Sequence, residues 1–243
     1  MNLVLDLGNT TCKAAIFKDE TIADHKVLPG LSAENLEAIF SSHPEIKNVI
    51  ISSVIDYDTA IVKPLKKRYH VIQLNEQTPI PIQNLYQTPE TLGNDRLANA
   101  IAANRLFPEQ NSLVIDAGTC IKFDFVNKNG EYQGGTISPG IVMRFKALHT
   151  FTDRLPLVNF DNYQGLFGKT TEEAIMLGVM NGIMAEVKGV ISGFEKQFPG
   201  LNIVLTGGDM HFFDKELKSS IFADHFFTLK GLNVILDFNV TAI

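Results

Sequence analysis

The chain has 243 residues, 45% hydrophobic and 20% charged, with a formal net charge of −6. That composition can fill one large core or two of ordinary size. It argues against a nucleic-acid surface: Lys66-Lys67-Arg68 is the one basic cluster, and it reads as a solvated helix end. Two cysteines, Cys12 and Cys120, are too few for a disulfide scaffold and show no metal-ligand spacing, so both read as small residues in a reducing compartment. The N-terminus enters a strand without a basic leader, and no apolar run reaches the ~18–20 residues of a membrane helix. The expectation is a soluble, cytoplasmic protein with no membrane and no nucleic-acid partner.

In chain order, residues 2–7 and 11–17 read as apolar strands around a tight turn. Leu36, Ile39 and Phe40 have helical spacing behind Ser32, a candidate N-cap. "NVIISSV" is an apolar strand, a helix follows over about 59–69 around Pro64, and "HVIQL" is a short strand. Pro79, Pro81 and Pro89 exclude regular helix over 78–89. "GNDRLANAIAANRLF" is a strong helix, with Asn94 or Asp95 as candidate cap.

The pattern then restarts. "SLVIDAGTCIKFDFV" repeats the strand–Asp–Gly–Thr–strand order of "LVLDLGNTTCKAAIF", and Asp116 aligns with Asp6 at the spacing of a whole domain. The expected architecture is α/β, with a domain at 1–110 and another of like topology at 111–243. The second half continues as strand "EYQGGTISPG", helix "GIVMRFKALHTF", an irregular stretch over 151–168, and a long helix capped by Thr170 or Thr171. Strand "NIVLTGG" and a final helix from "FTLKGL" close it.

A phosphate tail needs closely approaching backbone N–H groups, which Gly permits, together with hydroxyl or amide donors. A carboxylate at the strand end can hold a cation that screens phosphate charge. One such turn is a fold device; two at matching places could grip a nucleotide from both sides. The diglycine Gly207-Gly208 after a buried strand would let backbone lie flat against a nucleoside. "GLFGKTT" is not a P-loop, because Tyr163 stands where that motif needs Gly, and no dinucleotide-binding glycine fingerprint follows a strand.

The order D-x-G-N-T, D-x-G-T, T-G-G resembles the superfamily of acetate kinase, sugar kinases, heat-shock chaperones and actin. "LGNDR", "GGTISPG", "GKTTEEA" and "FTLKGL" resemble type III pantothenate kinases, over nearly the whole chain. The resemblance implies two ribonuclease-H-like domains with an ATP cleft between them. It makes Asp6, Leu7, Gly8, Asn9, Thr10, Thr11, Cys12 and Lys13 the first phosphate loop. Thr119 joins them from the second loop, and Gly207 and Gly208 from the adenosine motif. Asp116 would hold a monovalent cation, K⁺ or NH₄⁺, with Mg²⁺ arriving on ATP. Tyr86, Gly93, Asn94, Asp95, Arg96 and Thr171 would contact pantothenate, with Asp95 as general base and Arg96 as a fork for its carboxylate. A homodimer is implied, the second subunit contributing to the substrate pocket. Cys120 and Asn94 stand where the family usually has a small residue such as Ala.

The resulting expectation is ATP-dependent phosphorylation of pantothenate to 4′-phosphopantothenate, the first step toward coenzyme A. One alternative is a non-catalytic accessory protein of the Bvg accessory factor kind, which would not need to keep Asp6, Asp116, Asp95 and Arg96 together. Another is a superfamily kinase for a different small acceptor.

Overall fold

The computed structural model describes residues 1–8, 11–160, 164–214, 217 and 221–241. The first sheet uses β1 (Asn2–Leu7), β2 (Cys12–Lys18), β3 (Thr21–Leu28), β4 (Asn48–Ser53) and β5 (His70–Gln73) in the order β3-β2-β1-β4-β5. Helices α1 (Ala33–Ser42) and α2 (Val62–Arg68) lie among these strands in the chain. After β6 (Gln83–Asn84) and α3 (Asn94–Leu106) come β7 (Ser112–Ala117), β8 (Cys120–Val126) and β9 (Glu131–Pro139). Then follow α4 (Ile141–Thr150), α5 (Thr171–Gln197), β10 (Asn202–Thr206), α6 (Met210–Asp214), β11 (Ile221–Ala223) and α7 (Phe227–Thr241).

The second sheet runs β11-β10-β7-β8-β9-β6. In each half three antiparallel strands continue into two parallel ones, so β3-β2-β1-β4-β5 corresponds to β9-β8-β7-β10-β11. The internal repeat seen in the sequence is therefore a repeat of topology.

The molecule is built in five layers. One face of the first sheet (Leu3, Leu5, Ile16) packs on α1 and α2 through Leu36, Ile39, Phe40, Val62 and Leu65. One face of the second (Ile115, Phe123, Leu205) packs on α4 and α5. Between the sheets lies a shared layer of α3 and α7, against which Val4, Phe17 and Ile50 close from one side and Val114, Val126 and Val204 from the other. In that layer α7 crosses α3 so closely that a Cβ on Gly231 would fall 1.9 Å from the Ala98 carbonyl oxygen. Three elements cross position 110: β6 pairs with β9 of the second sheet, α3 packs on β7 and β8, and α7 lies against β1 and β4 of the first. Asn2, buried in β1, donates to Asn233 Oδ1 (2.9 Å) and Asp237 Oδ1 (2.6 Å) of α7.

Ser32 caps α1, and Thr170 with Glu173 forms a capping box on α5. Helix α3 is capped by Gly93 without a side-chain bond, so neither Asn94 nor Asp95 spends its side chain as the cap. Contrary to the sequence expectation, α5 with 27 residues is long and apolar enough to cross a membrane by length and composition. Its Ile175, Val179, Ile183 and Val187 are instead packed on the second sheet, as in a core helix.

Candidate active site

The two hairpin turns meet one site. In β1–β2, Asp6 stands directly opposite Lys13, with residues 8–11 between the last paired positions. In β7–β8, Asp116 stands opposite Lys122, with 118–120 between them. Burial pushes the Asp6 carboxyl up from 3.8 to about 6; the charges of Asp95 and Asp116 add to the rise, while Lys13 and a hydrogen bond from Ser52 Oγ (3.3 Å) oppose it. Asp6, Asp95 and Asp116 therefore face one another, although they come from two sheets and the middle layer.

Lys122 ties two of them together. Its Nζ lies 2.5 Å from Asp95 Oδ2 and 2.7 Å from Asp116 Oδ2, with the side chain 17% exposed. Burial alone would lower its pKa, but Asp116 and Asp95 outweigh that and raise it, so the group is a fixed ammonium. The other Asp95 oxygen accepts from the Arg96 backbone N–H at 2.9 Å.

Behind this cluster Arg96 is buried. Its Nε donates to Asp124 Oδ1 at 2.9 Å, its Nη2 lies 2.7 Å from the same oxygen without hydrogen-bond geometry, and Tyr132 donates to that oxygen at 2.7 Å. Burial would lower the guanidinium pKa, and Asp124 more than restores it; burial raises that of Asp124 despite Arg96. The fork expected to grip a substrate carboxylate is paired with Asp124 through Nε and Nη2, and it holds the first turn of α3, with Asp95 on it, against β8. Tyr86 lies over the guanidinium, 5.5 Å from its ring centroid.

The diglycine motif closes on the second turn. Gly207 has φ +96°, and a Cβ there would fall 2.2 Å from the Ala117 carbonyl oxygen and 2.6 Å from Asp116 Oδ1. Asp209 N–H donates to the same carbonyl at 2.9 Å. Gly207 is therefore imposed by sterics, and Gly208 beside it is exposed.

A cleft of about 670 Å³ opens at the start of α3, lined by Ser53, Leu74, Asn84, Gly93 and Asn94 among others, the two residues before Asp95 being part of its wall. Asn94 donates to the Leu74 carbonyl at 3.3 Å. At the first turn, Gly8 N–H donates to the Thr11 carbonyl at 3.0 Å, and Leu7 is buried. Asn9 and Thr10 lie outside the described residues. Cys12 is buried and its thiol is pushed up to about 11 by burial and then by Asp6, which rules out a thiolate nucleophile there. Thr119 is exposed at the second turn. Thr171 is exposed at the start of α5, on the opposite side of the second sheet from Asp116 and Lys122, so its own chain does not bring it to the cluster.

Sequence reasoning passed over Lys122 and Asp124. The signal was there: Cys120, Lys122 and Asp124 alternate along a strand, and a hairpin register anchored at Asp116 puts Lys122 across from it.

Two similar halves, each with a carboxylate beside its first hairpin turn, frame one site, with a diglycine strand end against the second turn and a cleft at the start of α3. Solved structures share this fold. An activator of 2-hydroxyisocaproyl-CoA dehydratase from Clostridium difficile with bound ADPNP matches with a TM-score of 0.55 at 16% identity, covering 100% of this chain and 97% of that one. A ROK family glucokinase from Streptomyces griseus with glucose and AMPPNP matches with a TM-score of 0.54 at 11% identity, covering 98% of each. The type III pantothenate kinase family profile matches residues 2–193. A type III pantothenate kinase of Bacteroides fragilis is 46% identical over 240 residues, 98% of each chain, and one of Christiangramia forsetii is 45% identical over 242 residues, 99% of this chain and 100% of that one. The chain belongs to the type III pantothenate kinase family.

Proposed function

We propose that this protein transfers the γ-phosphoryl group of ATP to the 4′-hydroxyl of pantothenate, the first step toward coenzyme A. The observation that carries the reading is the convergence of Asp6, Asp116 and Asp95 on one site beside an open cleft. Gly8 and Thr11 at the first turn and Gly118 and Thr119 at the second flank the phosphates, and Gly207-Gly208 gives the nucleoside a flat backbone. The acceptor enters the cleft at Gly93 and Asn94. The bond from phosphorus to the leaving ADP oxygen breaks as the bond to the acceptor oxygen forms, and Asp95 takes the hydroxyl proton. Tyr86 and Arg96 keep that helix start in place.

Among the described residues no group of three or more His, Cys, Asp or Glu side chains could hold a metal ion. Mg²⁺ would arrive with ATP and would neutralise charge on the transferring phosphates. Asp6 fits as its protein-side anchor, being a carboxylate short of positive partners. A free monovalent cation at Asp116 fits less well, because Lys122 already occupies that oxygen.

A homodimer is part of the proposal. Val142, Met143, Phe151, Leu157, Leu166 and Phe167 leave an exposed apolar surface in the layer that carries Thr171. A partner subunit seated there would cover that surface. The cytoplasm, where ATP and pantothenate meet, is the proposed location.

The test is Asp95→Asn assayed with ATP and pantothenate alongside a melting curve. The expected result is a cooperative melt lowered by no more than a few degrees, since Lys122 keeps Asp116, with turnover reduced about 10²–10⁴-fold. A wild-type rate would remove Asp95 as the base, and a wild-type enzyme that leaves pantothenate unphosphorylated would remove the reading.

A further inference from the structure

We infer that the Lys122 ammonium is the resident monovalent cation of this active site, so that the enzyme needs no free K⁺ or NH₄⁺. The inference rests on the kinase reading above. Four observations carry it. Lys122 Nζ stands between Asp116 Oδ2 at 2.7 Å and Asp95 Oδ2 at 2.5 Å, within charge-assisted hydrogen-bond range of both. The strand register delivers it: Lys122 is the direct cross-strand partner of Asp116, so the hairpin that presents the carboxylate also presents its counter-charge. The head group is enclosed, with all three side chains 13–23% exposed. Finally, Arg96 is committed to Asp124, which leaves Lys122 as the cation that reaches the Asp95–Asp116 pair.

A free cation on Asp116 would have to share Oδ2 with this ammonium or take Oδ1, against which Gly207 packs. Both carry one positive charge, and an alkylammonium presents three N–H donors where a bare ion would recruit oxygens. Three carboxylates with Lys13 and Lys122 leave the cluster one negative charge; without Lys122 it would hold two, facing a polyanionic nucleotide. Lys122 thus supplies charge and also positions Asp95 relative to Asp116, across the boundary between the α3 layer and the second sheet.

Chemical rescue tests this. Wild-type turnover and ATP affinity should stay constant within about twofold when K⁺ is replaced by tetramethylammonium at fixed ionic strength. Lys122→Ala opens a charged hole, so turnover in tetramethylammonium should fall about 10²-fold and recover at least about tenfold with NH₄⁺, methylammonium or K⁺. Lys122→Met fills the same space without charge and should fall equally but resist rescue. Independently of turnover, the melting temperature of Lys122→Ala should rise in ammonium chloride relative to tetramethylammonium chloride, while the wild type and Lys122→Met do not respond. If Lys122→Ala fails to fold, Lys122→Thr, a β-branched residue suited to a strand, takes its place. A wild-type enzyme that loses activity without K⁺ or NH₄⁺, or an alanine variant that neither recovers nor gains stability, overturns the inference. A wild type inactive on pantothenate in every salt defeats the kinase reading instead, and the melting experiment still decides the cation site.

Discussion

The hairpins β1–β2 and β7–β8 share a topology and a cross-strand Asp–Lys pair, yet they handle charge in opposite ways. In the second, Lys122 reaches Asp116 and then Asp95, so two carboxylates share one ammonium. In the first, Lys13 stands opposite Asp6 but, among the described residues, forms no ion pair with it; Asp6 accepts only a long hydrogen bond from Ser52, and its carboxyl is pushed up to about 6. One residue of turn length separates the two: residues 8–11 in the first loop, 118–120 in the second. The duplicated motif has therefore produced one satisfied carboxylate and one left wanting a cation. That division suits a site in which one turn is internally neutralised and the other waits for a ligand that brings its own metal.

The largest effect should come from breaking the satisfied side. Asp116→Ala leaves Lys122 with Asp95 alone and removes a carboxylate from the phosphate site; turnover should fall at least about 10²-fold, with about 1–3 kcal/mol of lost stability in denaturant melts. Gly207→Ala attacks the backbone that closes on the same turn. With φ +96° and a Cβ 2.2 Å from the Ala117 carbonyl, it should cost about 2–4 kcal/mol and weaken nucleotide binding in a titration calorimeter. An alanine variant as stable as wild type would mean the loop has room to move.

The waiting side makes the opposite prediction. A buried carboxyl with a raised pKa is charged in the folded chain at a cost the unfolded chain does not bear. The cost is absent below the unfolded value of 3.8, grows as pH rises through about 6, and persists above. Asp6→Asn should therefore stabilise the ligand-free protein by about 1–3 kcal/mol above pH 7, raising the melting temperature by about 2–4 °C per kcal/mol, with no gain near pH 4. The same variant should lose kinase activity. A stabilisation independent of pH would show that packing, not charge, sets the Asp6 environment. The smallest effect is expected at Cys12: its thiol, pushed up to about 11, should resist alkylation in the native protein at pH 7.5, whereas urea should expose it.

Much of this could be read in the sequence because its signals are local. The strand runs before the Asp-Gly-Thr turns and the caps Ser32 and Thr170 depend on residues within a few positions of each other, and the structure has β1, β7 and both caps where expected. Strand β3 was missed because its alternation of half-buried and exposed residues includes Asp24, His25 and Lys26, which hide a strand that is solvated on one face. The Arg96–Asp124 pair is not legible in the sequence, because Asp124 is distant along the chain and the pairing is made by tertiary packing of α3 on β8. Lys122 was missed for the converse reason: it looked like an ordinary strand lysine until its register against Asp116 gave it a role. The role of Thr171 remained a matter of family resemblance, since the fold of one chain turns it away from the cluster.

The shared middle layer also bears on how the chain is made. The inner face of the first sheet, with Val4, Ala15, Phe17 and Ile50, is covered by α3 and α7. Helix α7 follows every strand of the molecule in sequence. During synthesis the first half therefore emerges with part of its apolar face uncovered and with Asn2 lacking its partners Asn233 and Asp237. It completes its core only after the second half has been translated. A ribosome-stalled chain ending near residue 110 should accordingly stay open to proteases and chaperones, despite containing all five strands of its sheet.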